Sequence, residues 1–168
     1  MKKTFLTLVL ALLCGAPLSA QETAPAPSVM STALARPELT YLTEARPAAD
    51  ARFYIYLSSA SWCPPCRALM PKVVDSYPEI KAAGGEIILL CFDGTPQAAS
   101  AYVKKYNISF PTIQMSYRQV QAMAPALPGF TPPRSIPNTI MVAPNGKAFQ
   151  KGRGDIILKW KEITTGLK

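Results

Sequence analysis

Residues 59–67 read Ser59-Ala60-Ser61-Trp62-Cys63-Pro64-Pro65-Cys66-Arg67, and this stretch decides how the rest of the chain is read. Upstream, Arg52 to Ser58 (RFYIYLS) is an aromatic and apolar run of strand length. It alternates too little for a one-sided sheet, so it reads as a buried central strand that delivers the chain to Trp62 and Cys63. Downstream, Pro64 and Pro65 suit only the first turn of a helix, where a missing N–H costs nothing. Arg67 to Ile80 then carries Leu69, Val73 and Val74 at helical spacing. The two thiols therefore sit where a strand turns into a helix.

Further along, Gly84-Gly85 ends that helix in positions suited to positive φ, and Glu86 to Phe92 (EIILLCF) reads as a second buried strand. Thr95 to Tyr106, opened by Asp93-Gly94 with Pro96 in its first turn, reads as a second helix. A long Pro-rich connection spans Ser109 to Pro137. Asn138 to Val142 follows as a strand, Pro144-Asn145-Gly146 as a hairpin turn, Lys147 to Gln150 as the returning strand and Asp155 to Leu167 as a closing helix. The alternation predicts an α/β fold with a central mixed sheet flanked by helices.

The chain has 168 residues, 49% of them hydrophobic, which suits one compact domain. Its N-terminus has the pattern of a secretory signal: Lys2 and Lys3, an apolar run from Phe5 to Leu13, and Pro17-Leu18-Ser19-Ala20 before Gln21. Residues 1–20 are accordingly assigned to a signal peptide, 21–37 to an Ala/Pro/Ser/Thr-rich flexible linker and 38–168 to the domain. The apolar run falls short of the roughly 20 residues of a spanning helix, so no stable membrane insertion is expected after cleavage. An uncleaved anchor, or a lipid on Cys14, is the alternative. A periplasmic or secreted location follows.

Residues 1–20 hold Lys2 and Lys3 and no acid, so their removal takes the net charge from +8 to +6. No run of basic residues with interleaved aromatics is present, and nucleic-acid binding is not expected. Lys147, Lys151, Arg153, Lys159, Lys161 and Lys168 read as a solvated basic face, and Arg153-Gly154-Asp155 as a chance tripeptide.

A Cys-x-x-Cys at a helix N-terminus places the first sulfur over free backbone N–H groups at the positive end of the helix dipole, which stabilises a thiolate. Cys63 is the expected nucleophile and Cys66, one turn on, the resolving thiol. Zinc needs four ligands, whereas the chain has no histidine and only Cys91 beyond this pair in the exported part. No metal and no cofactor are therefore expected. Haem attachment fails because Arg67 stands where histidine is required. An inert disulfide stays open, although so short a loop constrains the unfolded chain little. Cys91, in EIILLCF, reads as a buried small hydrophobe.

At Ser59 to Arg67 the sequence resembles the thioredoxin superfamily, and is most similar to its tryparedoxin, nucleoredoxin and TlpA-like members. The resemblance extends over roughly residues 38–168 and implies a thioredoxin fold. Pro71 stands where the family's helix is kinked. Ser135-Ile136-Pro137-Asn138-Thr139-Ile140 resembles the family's cis-proline element, with Pro111 as the rival position. By this likeness Trp62, Pro64, Pro65, Ile136 and Pro137 support the dithiol and bind partners. Where thioredoxin itself has a buried aspartate, this chain has Leu57.

The resemblance implies a thiol–disulfide oxidoreductase working on protein thiols and disulfides with an upstream redox partner. With no histidine between the cysteines, a reductant is expected, in cytochrome maturation or thiol maintenance. A redox-inert binding module of the same fold is the alternative. Its docking surface would use Trp62, Pro137 and an apolar set of Met115, Met123, Pro125, Pro128, Phe130, Pro132 and Pro133, unless that stretch is only Pro-rich connection. A thiol peroxidase fits less well, since no Thr-x-x-Cys arrangement is present.

Overall fold

The computed structural model describes residues 26–166. The signal read over residues 1–20 and the Cys14 thiol lie outside the described residues. Five strands form one sheet in the order β3-β2-β1-β4-β5: β1 (Phe53–Ser59), β2 (Gly85–Cys91), β3 (Thr112–Gln114), β4 (Asn138–Val142) and β5 (Ala148–Arg153). β1, β2 and β3 are parallel, while β4 runs antiparallel to both β1 and β5.

Every residue of β1 and β2 is buried, because successive side chains enter two different cores. Tyr54, Tyr56, Ile88, Leu90, Ile140 and Val142 face one side, and Phe53, Ile55, Leu57, Ile87, Leu89 and Met141 the other. That two-sided burial explains why RFYIYLS shows no alternation. Helices α2 (Pro64–Ala82) and α3 (Pro96–Lys105) connect the parallel strands, and both pack on the Phe53 side with α5 (Trp160–Thr164). Phe53 and Trp160 stack there, ring centroids 6.3 Å apart.

Several boundaries differ from the sequence reading. The linker expected over 21–37 holds helix α1 (Val29–Leu34), capped by the Ser28 side chain. Met30 and Leu34, four residues apart, are buried on the Tyr56 face, so the folded part begins before residue 38. Three large apolar residues, Val29, Met30 and Leu34, among Ala, Ser, Thr and Pro are too few to outweigh a linker-like composition.

The connection 109–137 likewise contains β3 and helix α4 (Tyr117–Met123), started by a capping box between Ser116 and Gln119. Met115 and Phe130 are core residues there, not an apolar partner surface. The closing element is a 3-10 segment over Gly154–Lys159 followed by the short α5, rather than one helix over 155–167. Gly84 has the expected positive φ of 78°. Gly85 instead opens β2, where a Cβ would collide with the Phe53 ring.

Candidate active site

β1 ends at Ser59, and the chain turns through Ala60, Ser61 and Trp62 into α2. The turn is closed by the Cys63 amide donating to the Ala60 carbonyl at 3.3 Å. Cys63 is the N-cap of α2 in extended geometry, with prolines filling the first helical positions. The Cys66 amide donates to the Cys63 sulfur at 3.3 Å. The two cysteines are disulfide-bonded, with Cα atoms 5.2 Å apart. In the reduced state that amide and the dipole of a 19-residue helix both favour negative charge on Cys63. Cys66 is fully buried, whereas Cys63 keeps a small exposed edge at 3%.

The Ile136-Pro137 peptide bond is cis, at the position preferred from the sequence, and the Pro111 bond is not. Antiparallel pairing sets Asn138 opposite Ser58, which brings the Ile136 carbonyl oxygen to 3.6 Å from the Cys63 sulfur. Gly154 backs the Pro137 ring: its amide donates to the Pro137 carbonyl at 2.9 Å, and its own carbonyl accepts from Thr139 Oγ1 at 3.1 Å.

Two grooves flank this junction. One, of about 390 Å³, joins Trp62, Cys63, Pro64, Pro65 and Ile136, five of the residues singled out from the sequence. Pro133, from the apolar set expected at the docking surface, and Ser135 also line it, together with Phe92 and Arg134, which nothing in their local sequence marks. The other, of about 380 Å³, lies against Pro137, Leu69, Arg153 and Asp155. Trp62 is 61% exposed at the mouth of the first groove, an unusual position for so large an aromatic. Leu57 is buried in the apolar cluster under α2, so that position contributes packing only.

Asp93 stands in the stretch expected to open a helix, but Thr95 is the cap of α3. The Asp93 side chain turns back instead to the active-site loop, accepting from Ser61 Oγ at 2.5 Å and from the Ser61 amide at 3.1 Å. The Cys91 thiol also donates to Asp93, at 3.1 Å. Burial first, and then this bond, push the Cys91 thiol well above its ordinary range, in keeping with a thiol that stays protonated. Among the described residues no group of three or more His, Cys, Asp or Glu side chains is placed to hold a metal ion.

A model of the AhpC/TSA family matches residues 41–148, a span that includes the dithiol, the Ile136-Pro137 element and β1 to β4. The chain belongs to the AhpC/TSA family.

Among relatives of this AhpC/TSA-family chain, the thiol-disulfide oxidoreductase ResA of Oceanobacillus iheyensis is 30% identical over 99 residues, covering 59% of the chain and 48% of ResA. Nucleoredoxin of Homo sapiens is 33% identical over 102 residues, covering 59% and 22% respectively. The chain thus spans about half the length of the ResA relative and less of nucleoredoxin. Tryparedoxin II from C. fasciculata superposes with a TM-score of 0.59 at 19% identity, covering 82% of this chain and 91% of its own. StoA from Bacillus subtilis gives 0.55 at 18% identity, covering 68% and 84%. These superpositions show the thioredoxin fold. Among the described residues no helix is long and apolar enough to cross a membrane.

Proposed function

We propose that this AhpC/TSA-family protein is an exported thiol–disulfide oxidoreductase that reduces disulfides of protein partners through Cys63 and Cys66. The observation that carries the reading is the Cys63 sulfur at the N-terminus of α2, in hydrogen-bond reach of the Cys66 amide and at the edge of an open apolar groove. The relatives named thiol-disulfide oxidoreductases add support. The signal-like residues 1–20 are the basis for export.

In the reduced protein the Cys63 thiolate attacks one sulfur of a partner disulfide. A Cys63–partner bond forms, and the partner's other sulfur leaves with the electron pair and takes up a proton. Cys66, deprotonated, then attacks the Cys63 sulfur. The mixed disulfide breaks, the second partner thiol departs, and Cys63–Cys66 closes, so two electrons have passed to the partner. An upstream dithiol restores the pair. Trp62 and the groove beside Ile136 hold the partner's segment against Cys63 during the exchange, and no cofactor takes part.

The test is the reduction potential of the Cys63–Cys66 pair in defined glutathione buffers. A value near or below about −220 mV is expected for a reductant, about −120 mV would make the protein an oxidant, and a pair that never reduces would leave only a binding module. Export is tested separately, by sequencing the N-terminus of the mature protein: a start at Gln21 is expected.

A further inference from the structure

Resting on the dithiol exchange just proposed, the geometry points to Asp93 as a positioning residue that sets Cys63 against Cys66 by holding Ser61. Asp93 lies just beyond the C-terminal end of β2, 1% exposed, and 30 residues from the nucleophile in sequence, so no local motif links the two. All three polar groups of Ser61 are engaged. Its amide donates to Asp93 Oδ2 at 3.1 Å, its hydroxyl donates to Oδ1 at 2.5 Å, and its carbonyl accepts from Arg67 Nη1 at 3.0 Å. Arg67 belongs to the first turn of α2, so Ser61 is clamped between the end of β2 and the helix that carries Cys66.

Asp93 is itself fixed from two strands. The Cys91 thiol of β2 donates to its carboxylate, and Gln114 Nε2 of β3 donates to its carbonyl at 3.0 Å. Next to it, the Phe92 amide donates to the Ser59 carbonyl at 2.8 Å, which ties this corner to the end of β1. A buried carboxylate is strongly unfavourable without donors, and here Ser61 supplies two of them. Rotating the 61–63 loop would strip those donors away, so the carboxylate resists the rotation.

The consequence concerns the redox equilibrium. Closing the Cys63–Cys66 bond is an intramolecular step whose equilibrium depends on how far the two sulfurs are already held in place. A clamped loop favours the disulfide and makes the dithiol the stronger reductant. Releasing it favours the dithiol and raises the potential.

The experiment equilibrates the full chain and its Asp93→Ala, Asp93→Asn and Ser61→Ala variants with glutathione, and records a thermal unfolding midpoint for each. Asp93→Ala is expected to weaken the dithiol as a reductant by about tenfold in the equilibrium constant, or about 30 mV for two electrons. Asp93→Asn, which keeps an acceptor oxygen, is expected to recover part of the loss. Ser61→Ala, which removes only the hydroxyl bond, should give about threefold, and it stands in if Asp93→Ala does not fold. Variants that melt earlier but keep the wild-type equilibrium constant, or that become stronger reductants, overturn the positioning role alone. A wild-type pair that does not exchange with glutathione overturns this role together with the oxidoreductase reading.

Discussion

The Ile136 carbonyl oxygen lies 3.6 Å from the Cys63 sulfur although 73 residues separate them in sequence. β4 pairs antiparallel with β1, so the residues entering β4 meet the residues leaving β1 at the same edge of the sheet. Cys63 therefore has a helix N-terminus on one side and an extended backbone segment on the other. A partner chain laid along that segment would place a disulfide over Cys63.

The proposed exchange gives the two cysteines separable roles. Cys63→Ser is expected to abolish disulfide reduction, because no attacking sulfur remains. Cys66→Ser is expected to stop the cycle after the first bond, leaving partners attached through Cys63. Non-reducing gels and mass spectrometry on each variant with a disulfide-containing protein read this out; covalent adducts on Cys63→Ser through Cys66 would reverse the assignment.

Trp62 exposes 61% of its surface, so Trp62→Ala should change the unfolding free energy by less than about 0.5 kcal/mol. Its loss should be felt in partner binding. A buried aromatic anchor contributes about 2 kcal/mol, which predicts a fall of roughly 30-fold in kcat/KM for protein disulfides. Reduction of a small aromatic disulfide should be nearly unaffected. Equal losses on both substrates would show that Trp62 acts on the dithiol instead.

Gly154 has no room for a side chain. A Cβ there would stand 2.7 Å from Pro137 Cγ and 2.8 Å from Leu69 Cδ2. Gly154→Ala is expected to cost about 1–3 kcal/mol by overpacking, and to lower the rate of disulfide exchange because the displaced Pro137 carries Ile136 with it. Urea unfolding and turnover are measured together; a variant as stable and as fast as wild type would refute this packing argument.

Tyr102 hydrogen-bonds Ser59 at 3.0 Å in the core, and burial pushes its hydroxyl up to about 12. In the unfolded chain the same proton leaves near pH 10, so stability is whole below that pH and falls as pH rises from 10 towards 12. Tyr41, also raised by burial to about 12, acts in the same direction. Thermal unfolding from pH 8 to 11.5 should show this decline. Tyr102→Phe should lower stability at pH 7 by about 1–3 kcal/mol, since Ser59 Oγ is left unpaired, and should also flatten the alkaline decline. An unchanged alkaline slope in that variant would remove Tyr102 from the account.

Much of the fold was legible because its strongest signals are local. RFYIYLS and EIILLCF became β1 and β2 within a residue of the expected bounds, since a strand buried on both faces has to be apolar throughout. Thr95 and Pro96 start α3 through a cap and a preset φ, both matters of adjacent residues. The missed elements depend on distant partners. β3 has three residues, too few to show a period, and it exists because β2 offers it a parallel edge. α1 is held by Met30 and Leu34 against the Tyr56 side of the sheet, a surface that local composition does not reveal.

The same division runs through the site. By itself the sequence determined that two thiols stand one helical turn apart where a strand meets a helix, because Cys63-Pro64-Pro65-Cys66 carries both the chemistry and its helix start in four residues. Tertiary structure alone decided how they are surrounded: the approach of the Ile136 carbonyl, the groove walls Phe92 and Arg134, and the Asp93 carboxylate on Ser61. Those neighbours come from other strand ends and loops. Their distances from Cys63 are set by how β1, β2 and β4 pair, and pairing is fixed by burying both faces of the sheet at once rather than by any short run of residues.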